Sequence, residues 1–215
     1  MKNLKILVLS AILFMGLSGL AGAVDMSGRF GVGFNTQIGL ARTDTLMGAD
    51  TGIGVTTAVT STMLDMSALS VKYHVSPLAS IAVLLGFGYG SVDPEGGDNE
   101  VTYSNIGLGA KLFYNFRQEK QMNLYGGGGF MFVRTGFESQ ADDSDGSLWG
   151  IKIPIFAGAE FFFNGLPNLG FSLETGLEFL IGGGSVDVGN QTVDTSIFNF
   201  GTFGGLFDAG IHYYF

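Results

Sequence analysis

Charged side chains are scarce in this sequence, so those set within its apolar stretches are the first candidates for chemistry. They are the cations Arg29, Lys72, Lys111 and Lys152 and the carboxylates Glu160, Glu174, Glu178 and Asp208, accompanied by His74 and His212. Such groups can pair as ions in a packed plug or line a narrow polar path. A nucleophile is a further option, because His74-Val75-Ser76 brings a base close to a hydroxyl. Ser76, however, abuts Pro77 in a turn and no orienting acid is evident, so no catalytic residue is assigned and no enzyme is expected. Asp142-Asp143-Ser144-Asp145-Gly146 has the crowded carboxylates of a calcium loop without its downstream glutamate. A solvated acidic loop is expected there, with no metal and no cofactor. The run Gly126 to Gly129 lacks the Lys-Ser/Thr and helix of a phosphate loop and reads as strand. The chain has no cysteine, which removes thiol and disulfide chemistry.

The elements that position these groups follow from composition. Only 13% of residues are charged, against about 25% in an ordinary soluble domain. Mean hydropathy is +0.36, so the solvent around much of the chain is expected to be apolar. Yet beyond the N-terminus no segment reaches the roughly 18 apolar residues of a membrane-spanning helix. The longest, Ile81 to Gly90, is too short and ends in alternating glycines. Backbone groups in hydrocarbon must be satisfied internally, by a helix or a closed barrel. The barrel is what remains. Lys2 and Lys5, the apolar run Ile6 to Met15 and Ala21-Gly22-Ala23 read as an export signal cleaved after Ala23. Residues 1–23 are therefore expected to be a signal peptide and residues 24–215 one all-β barrel.

Period-two alternation places strands near 26–36, 65–75, 79–90, 102–116, 123–133, 148–163, 169–181 and 198–215. Long polar connections at 37–64, 91–101, 134–147 and 182–197 alternate with short turns at Ser76-Pro77-Leu78, Arg117 to Met122 and Asn164 to Asn168. That alternation predicts an eight-stranded antiparallel up-and-down transmembrane barrel. A hairpin hidden within residues 37–64 would raise the count to ten.

Apolar residues assign the faces before any charge is considered. One parity carries Phe30, Val32 and Phe34; Leu69, Val71 and Tyr73; Ile81, Val83, Leu85 and Phe87; and Ile106, Leu108, Leu112 and Tyr114. It continues with Trp149, Ile151, Ile153 and Ile155, then Leu169, Phe171, Leu173, Leu177 and Phe179. Every one of the eight charged strand residues named above falls on the opposite parity. On a lipid-facing surface a cation near the midplane costs about 2–4 kcal/mol, which gives the segregation its physical reason. Aromatics cluster at strand ends, with Tyr73, Tyr114, Phe116, Phe161, Phe163, Tyr213 and Phe215 toward the turns and Tyr89, Phe132, Trp149 and Phe179 toward the loops. Two interfacial girdles are expected of a spanning barrel.

The last strand alternates Phe207, Ala209, Ile211, Tyr213 and terminal Phe215, which resembles the signal read by the outer-membrane assembly machinery. With the N-terminal export signal, the chain resembles the small outer-membrane barrel family that includes the OmpA transmembrane domain, OmpX and OmpW. The resemblance spans the mature chain and rests on pattern more than identity. It implies the Gram-negative outer membrane as location, lipid and lipopolysaccharide as surroundings, and the assembly machinery as partner. Unlike full-length OmpA proteins, no peptidoglycan-binding domain is expected after the barrel. Kinship to OmpW would imply a small channel for ions or hydrophobic solutes. His74-Val75-Ser76 is comparable with the His-x-Ser of lipid A deacylases, the lipid-modifying alternative, but would sit in a periplasmic turn.

Within eight strands the lumen is just wide enough for side chains to fill, so its charges are expected to pair into a polar plug. Arg29 is expected beside Asp208, since first and last strands meet on closure, and Lys152 diagonally across from Glu178. Lumen glycines (Gly31, Gly33, Gly86, Gly88, Gly107, Gly109, Gly127, Gly129) either leave room for water or relieve crowding. Loop carboxylates Asp44, Asp50, Asp93, Glu95, Asp98, Glu100, Glu138, Asp142, Asp143, Asp145, Asp187 and Asp194 outweigh Arg42 and Arg134. They account for the net charge of −9 and argue against nucleic acid as a partner. A non-enzymatic monomeric barrel with acidic outer loops, serving envelope stability or surface contact, is the favoured expectation.

Overall fold

The computed structural model describes residues 26–38, 67–92, 101–139, 144–188 and 191–215. The expected signal peptide, most of the first long connection with its possible hairpin, and Asp142 and Asp143 lie outside them. The strands are β1 (Phe30–Ile38), β2 (Ala68–His74), β3 (Ala79–Val92), β4 (Val101–Glu119), β5 (Met122–Ser139), β6 (Ser144–Phe163), β7 (Leu166–Val188) and β8 (Gln191–Tyr214). Each pairs antiparallel with its sequence neighbour, and β1 pairs with β8, so the sheet is a closed barrel of eight strands. Closure satisfies the ladder groups that an open sheet leaves bare.

Alternation decides which face is which. In β2 buried and exposed residues alternate without exception, and β6 runs the same way from Trp149 to Ala157. The buried parity fills the lumen, while Phe87, Leu112, Ile155 and many other large apolar side chains stand exposed outside.

The long-loop end departs from expectation. Residues 134–147 and 182–197 were expected to be mostly loop, yet Arg134 to Ser139, Ser144 to Ser147, Gly182 to Val188 and Gln191 to Ile197 continue the strands as paired ladder. There the outer face loses its apolar residues while the inner keeps Phe137, Leu148 and Ile197, so the alternation that marks the apolar belt breaks off although the backbone still pairs. At the short-turn end, β1 begins at Phe30, later than expected, because Gly28 turns the chain at φ 75°, where a Cβ would be strained. That turn is tied down by Gly28 N–H donating to the His74 carbonyl at 2.8 Å.

Two irregularities interrupt the wall. Between β5 and β6 the ladder passes from Gly128↔Ile155 to Met131↔Lys152, omitting Pro154, which has no N–H to give. Between β7 and β8 it shifts from Glu174↔Asp208 to Gly176↔Phe203, a bulge in β8.

Candidate functional site: the barrel lumen

The interior alternates apolar and ionic layers. At the short-turn end Met26, Phe162 and Tyr214 form a buried apolar cluster. Next to it Lys72 of β2 reaches across to Glu160 of β6, Nζ to Oε2 at 2.9 Å, and Tyr214 donates its hydroxyl to the same carboxylate. Ala82, Phe113, Tyr125 and Phe156 then form an aromatic layer with edge-to-face rings. Ammonium groups flank it: Lys72 stands 4.6 Å from the Phe113 centroid and Lys111 5.2 Å from that of Phe156. Beyond it Lys111 of β4 bridges Glu174 at 2.7 Å and Asp208 at 2.6 Å, and Tyr125 donates to Glu174 at 3.0 Å. Lys152 and Glu178 lie 3.8 Å apart, and Val133, Leu148, Leu180 and Ile197, from β5 to β8, form a buried apolar cluster toward the long-loop end.

Of the anticipated ion-pair residues, Lys72, Lys111, Lys152, Glu160, Glu174, Glu178 and Asp208 are all buried in this lumen. Arg29 is not among them. It is partly buried at the short-turn lip, donating to Asn168 at 3.2 Å, so the anticipated Arg29–Asp208 pair does not form. Register explains this: β1 and β8 meet with Gln37 opposite Asp208 and Gly31 opposite Tyr214. Arg29 is eight positions from Gln37, about 26 Å along a strand. The lateral shear of the barrel, invisible in the sequence, separates them. Lys152 and Glu178 do meet diagonally, since Lys152 is opposite Leu180 and Glu178 opposite Pro154.

Several participants went unrecognised in the sequence. Tyr125 and Tyr214 lie on the lumen parity and are fully buried, which was the available signal. A buried tyrosine needs a partner for its hydroxyl, and an ionised carboxylate is a strong one. Ser70 also lies on that parity and sits 2.6 Å from His212 Nε2. This hydroxyl–imidazole pair has the composition of a nucleophile and base, but Ser70 is 1% exposed and the His212 Nδ1 has no partner to orient the ring. Both features fit a structural hydrogen bond. The His74 ring lies 5.4 Å from that of Tyr214, edge-on, and Ser76 is in the β2–β3 turn. Among the described residues no acid is shown beside Ser76.

The glycines of the lumen parity make space that neighbours occupy. A Cβ at Gly31 would stand 2.6 Å from the Tyr214 ring, at Gly33 2.5 Å from His212, and at Gly127 2.8 Å from Phe156. At these positions glycine relieves crowding, and rings fill the room. Among the described residues no three His, Asp or Glu side chains are arranged to hold a metal ion. The C-terminal residues Phe207, Ala209, Ile211, Tyr213 and Phe215 share the outer parity of β8, with Ile211, Tyr213 and Phe215 exposed.

The arrangement sets buried charges of opposite sign against one another. Each carboxylate is met by an ammonium, and buried apolar clusters lie on either side of the ionic layers. A search of protein-family profiles and of curated protein sequences finds no match to the chain.

Proposed function

We propose that this chain is an integral outer-membrane protein, exported by residues 1–23, whose sealed barrel serves a non-enzymatic structural or surface-contact role. The observation that carries the membrane part is the exposed apolar belt. On β6 it runs from Phe163 to Trp149, about 35 Å of height for strands tilted near 40°. That matches an apolar band of about 25 Å with an aromatic girdle at each edge. The belt ends sharply: Arg134 faces outward opposite Trp149, and beyond them the same face carries Ser147, Asp145, Gly136 and Glu138. Arg134 at this height would extend toward lipid headgroups.

The sealed part rests on the layered lumen. An ion crossing it would meet the apolar side chains Val133, Leu148, Leu180 and Ile197 and the Phe113–Tyr125–Phe156 layer. The expected partners are outer-membrane lipid and lipopolysaccharide around the belt and, during assembly, the machinery that reads the terminal strand ending in Phe215. The acidic rim, with Glu138, Asp145, Asp187 and Asp194 on the strand extensions, is the surface offered to the exterior. The test is refolded protein in planar bilayers. Silence across the voltage range is expected, and reproducible single-channel steps would refute the sealed lumen in favour of a small channel. Unaltered lipid A on deleting the gene is the matching expectation against a lipid-modifying enzyme.

A further inference from the structure

The barrel closes along one seam, where β1 and β8 share a ladder from Gly31↔Tyr214 to Ile38↔Phe207. Within it Asn35 is opposite Gly210 and Gln37 opposite Asp208, so Asn35 and Asp208 are diagonal neighbours on the inner parity. Diagonal Cβ atoms in an antiparallel pair stand about 7 Å apart, a span that one molecule can bridge with a hydrogen bond at each end. Asn35 and Asp208 are 7% and 4% exposed, and among the described residues Oδ1 of each has no hydrogen-bond partner. Two acceptor oxygens cannot satisfy one another, and a buried acceptor left bare is costly.

Both side chains line one cavity of about 40 Å³. At about 10–15 Å³ for each water-sized group, that is room for about three waters. The rest of the wall is mixed: Lys111, Lys152 and Glu178 contribute charged groups, and Ala68, Leu84 and Met131 apolar ones. Lys111 already reaches Oδ2 of Asp208, so it is the other oxygen of that carboxylate that is left to a further donor.

We infer that this cavity is an internal water site, in which a cluster of about three waters bridges Asn35 of β1 to Asp208 of β8 and fastens the closing seam. The chemistry of the wall selects the occupant. A metal cation would stand against the ammonium groups of Lys111 and Lys152, and an anion against the carboxylates of Asp208 and Glu178. An apolar molecule would leave both Oδ1 atoms bare. A neutral molecule that donates and accepts suits donors and acceptors alike, and water is the one whose size matches the space. The site goes beyond the surface-contact reading and holds for a sealed or a conducting barrel alike.

Full-length protein refolded in deuterated detergent micelles, with its methyl groups isotope-labelled for NMR, tests it. Dipolar cross-peaks from water to the methyls of Ala68, Leu84 and Met131 are expected, since all three line the cavity. Asn35→Leu, which removes one acceptor, should erase them. It should also speed hydrogen exchange of the β1–β8 ladder amides about fivefold, the loss of about one hydrogen bond, with the β3–β4 ladder unchanged. Ala68→Leu keeps every polar group while filling the space, and should erase the cross-peaks at Leu84 and Met131. Heat-modifiable mobility confirms folding of each variant, so Ala68→Leu decides if Asn35→Leu does not fold. Absent cross-peaks in the unaltered protein, with xenon shifting the same methyls, would show a dry cavity and overturn the site. Cross-peaks that persist in both variants overturn it too, because they would then arise from exchanging protons on Lys111 or Lys152. Unchanged exchange along the seam in folded Asn35→Leu overturns the bridge between β1 and β8.

Discussion

Replacing Lys111 by methionine should be the most damaging conservative change in the lumen. The β7–β8 register sets Glu174 directly opposite Asp208, a like-charge pair that is destabilising by itself. Lys111 arrives from β4 on the far side of the barrel and touches both, at 2.7 and 2.6 Å. Two carboxylates meeting one ammonium stand about 5 Å apart, and at an effective dielectric near 20 their repulsion is about 3 kcal/mol. Losing two charge-assisted hydrogen bonds as well brings the expected cost to about 3–5 kcal/mol, the range for breaking a buried ion pair. The combination Lys111→Met, Glu174→Gln and Asp208→Asn removes the repulsion and should recover most of that loss. Urea unfolding in lipid vesicles, followed by the fluorescence of the single tryptophan, Trp149, measures both. A cost under about 1 kcal/mol for Lys111→Met, or a triple variant no more stable than the single one, would refute the reasoning.

Other perturbations separate the outer face, the network and the packing. On the outer parity of β6, Ile155→Lys should cost about 2–4 kcal/mol in vesicles while Ser147→Lys, beyond the belt, costs under about 1; equal costs would contradict the membrane placement. Tyr214→Phe removes the hydroxyl bound to Glu160 and should lose about 1.5–3 kcal/mol in the same unfolding assay. Gly176→Ala would set a Cβ 2.1 Å from the Ile155 carbonyl oxygen, whereas at Gly165 a Cβ meets open space. The first should cost at least about 1–3 kcal/mol and the second almost nothing, with melting of the heat-modifiable form as the readout.

Legibility in the sequence tracked the difference between two solvents. Where one face of a strand meets apolar surroundings and the other a polar core, alternation named the strands and assigned Lys72, Lys111, Lys152 and the four carboxylates to the inside. Beyond Trp149 the outward face turns polar and glycine-rich, so the same rule read Ser144 to Ser147 and Gly182 to Val188 as loop although their backbones pair. Partnering was less legible than facing. Lys72–Glu160 and Lys111–Asp208 each join strands four apart around the cylinder, and only the shear sets which heights meet across it. Lys152–Glu178 was accessible because neighbouring strands share a turn that fixes their register. Tyr125 and Tyr214 passed unnoticed because an aromatic on the inner parity looks like filling until a carboxylate is seen beside its hydroxyl.

The paired extension of β5 to β8 has an electrostatic consequence. On the proposed placement, Asp145 stands four residues past Trp149, roughly 10 Å farther from the bilayer for a tilted strand. Mobile ions damp a charge within about 8 Å at physiological ionic strength. The strongly acidic tips are thus held just out of electrostatic earshot of the phosphates around the barrel, and an anionic protein can sit among anionic lipids without the two repelling one another.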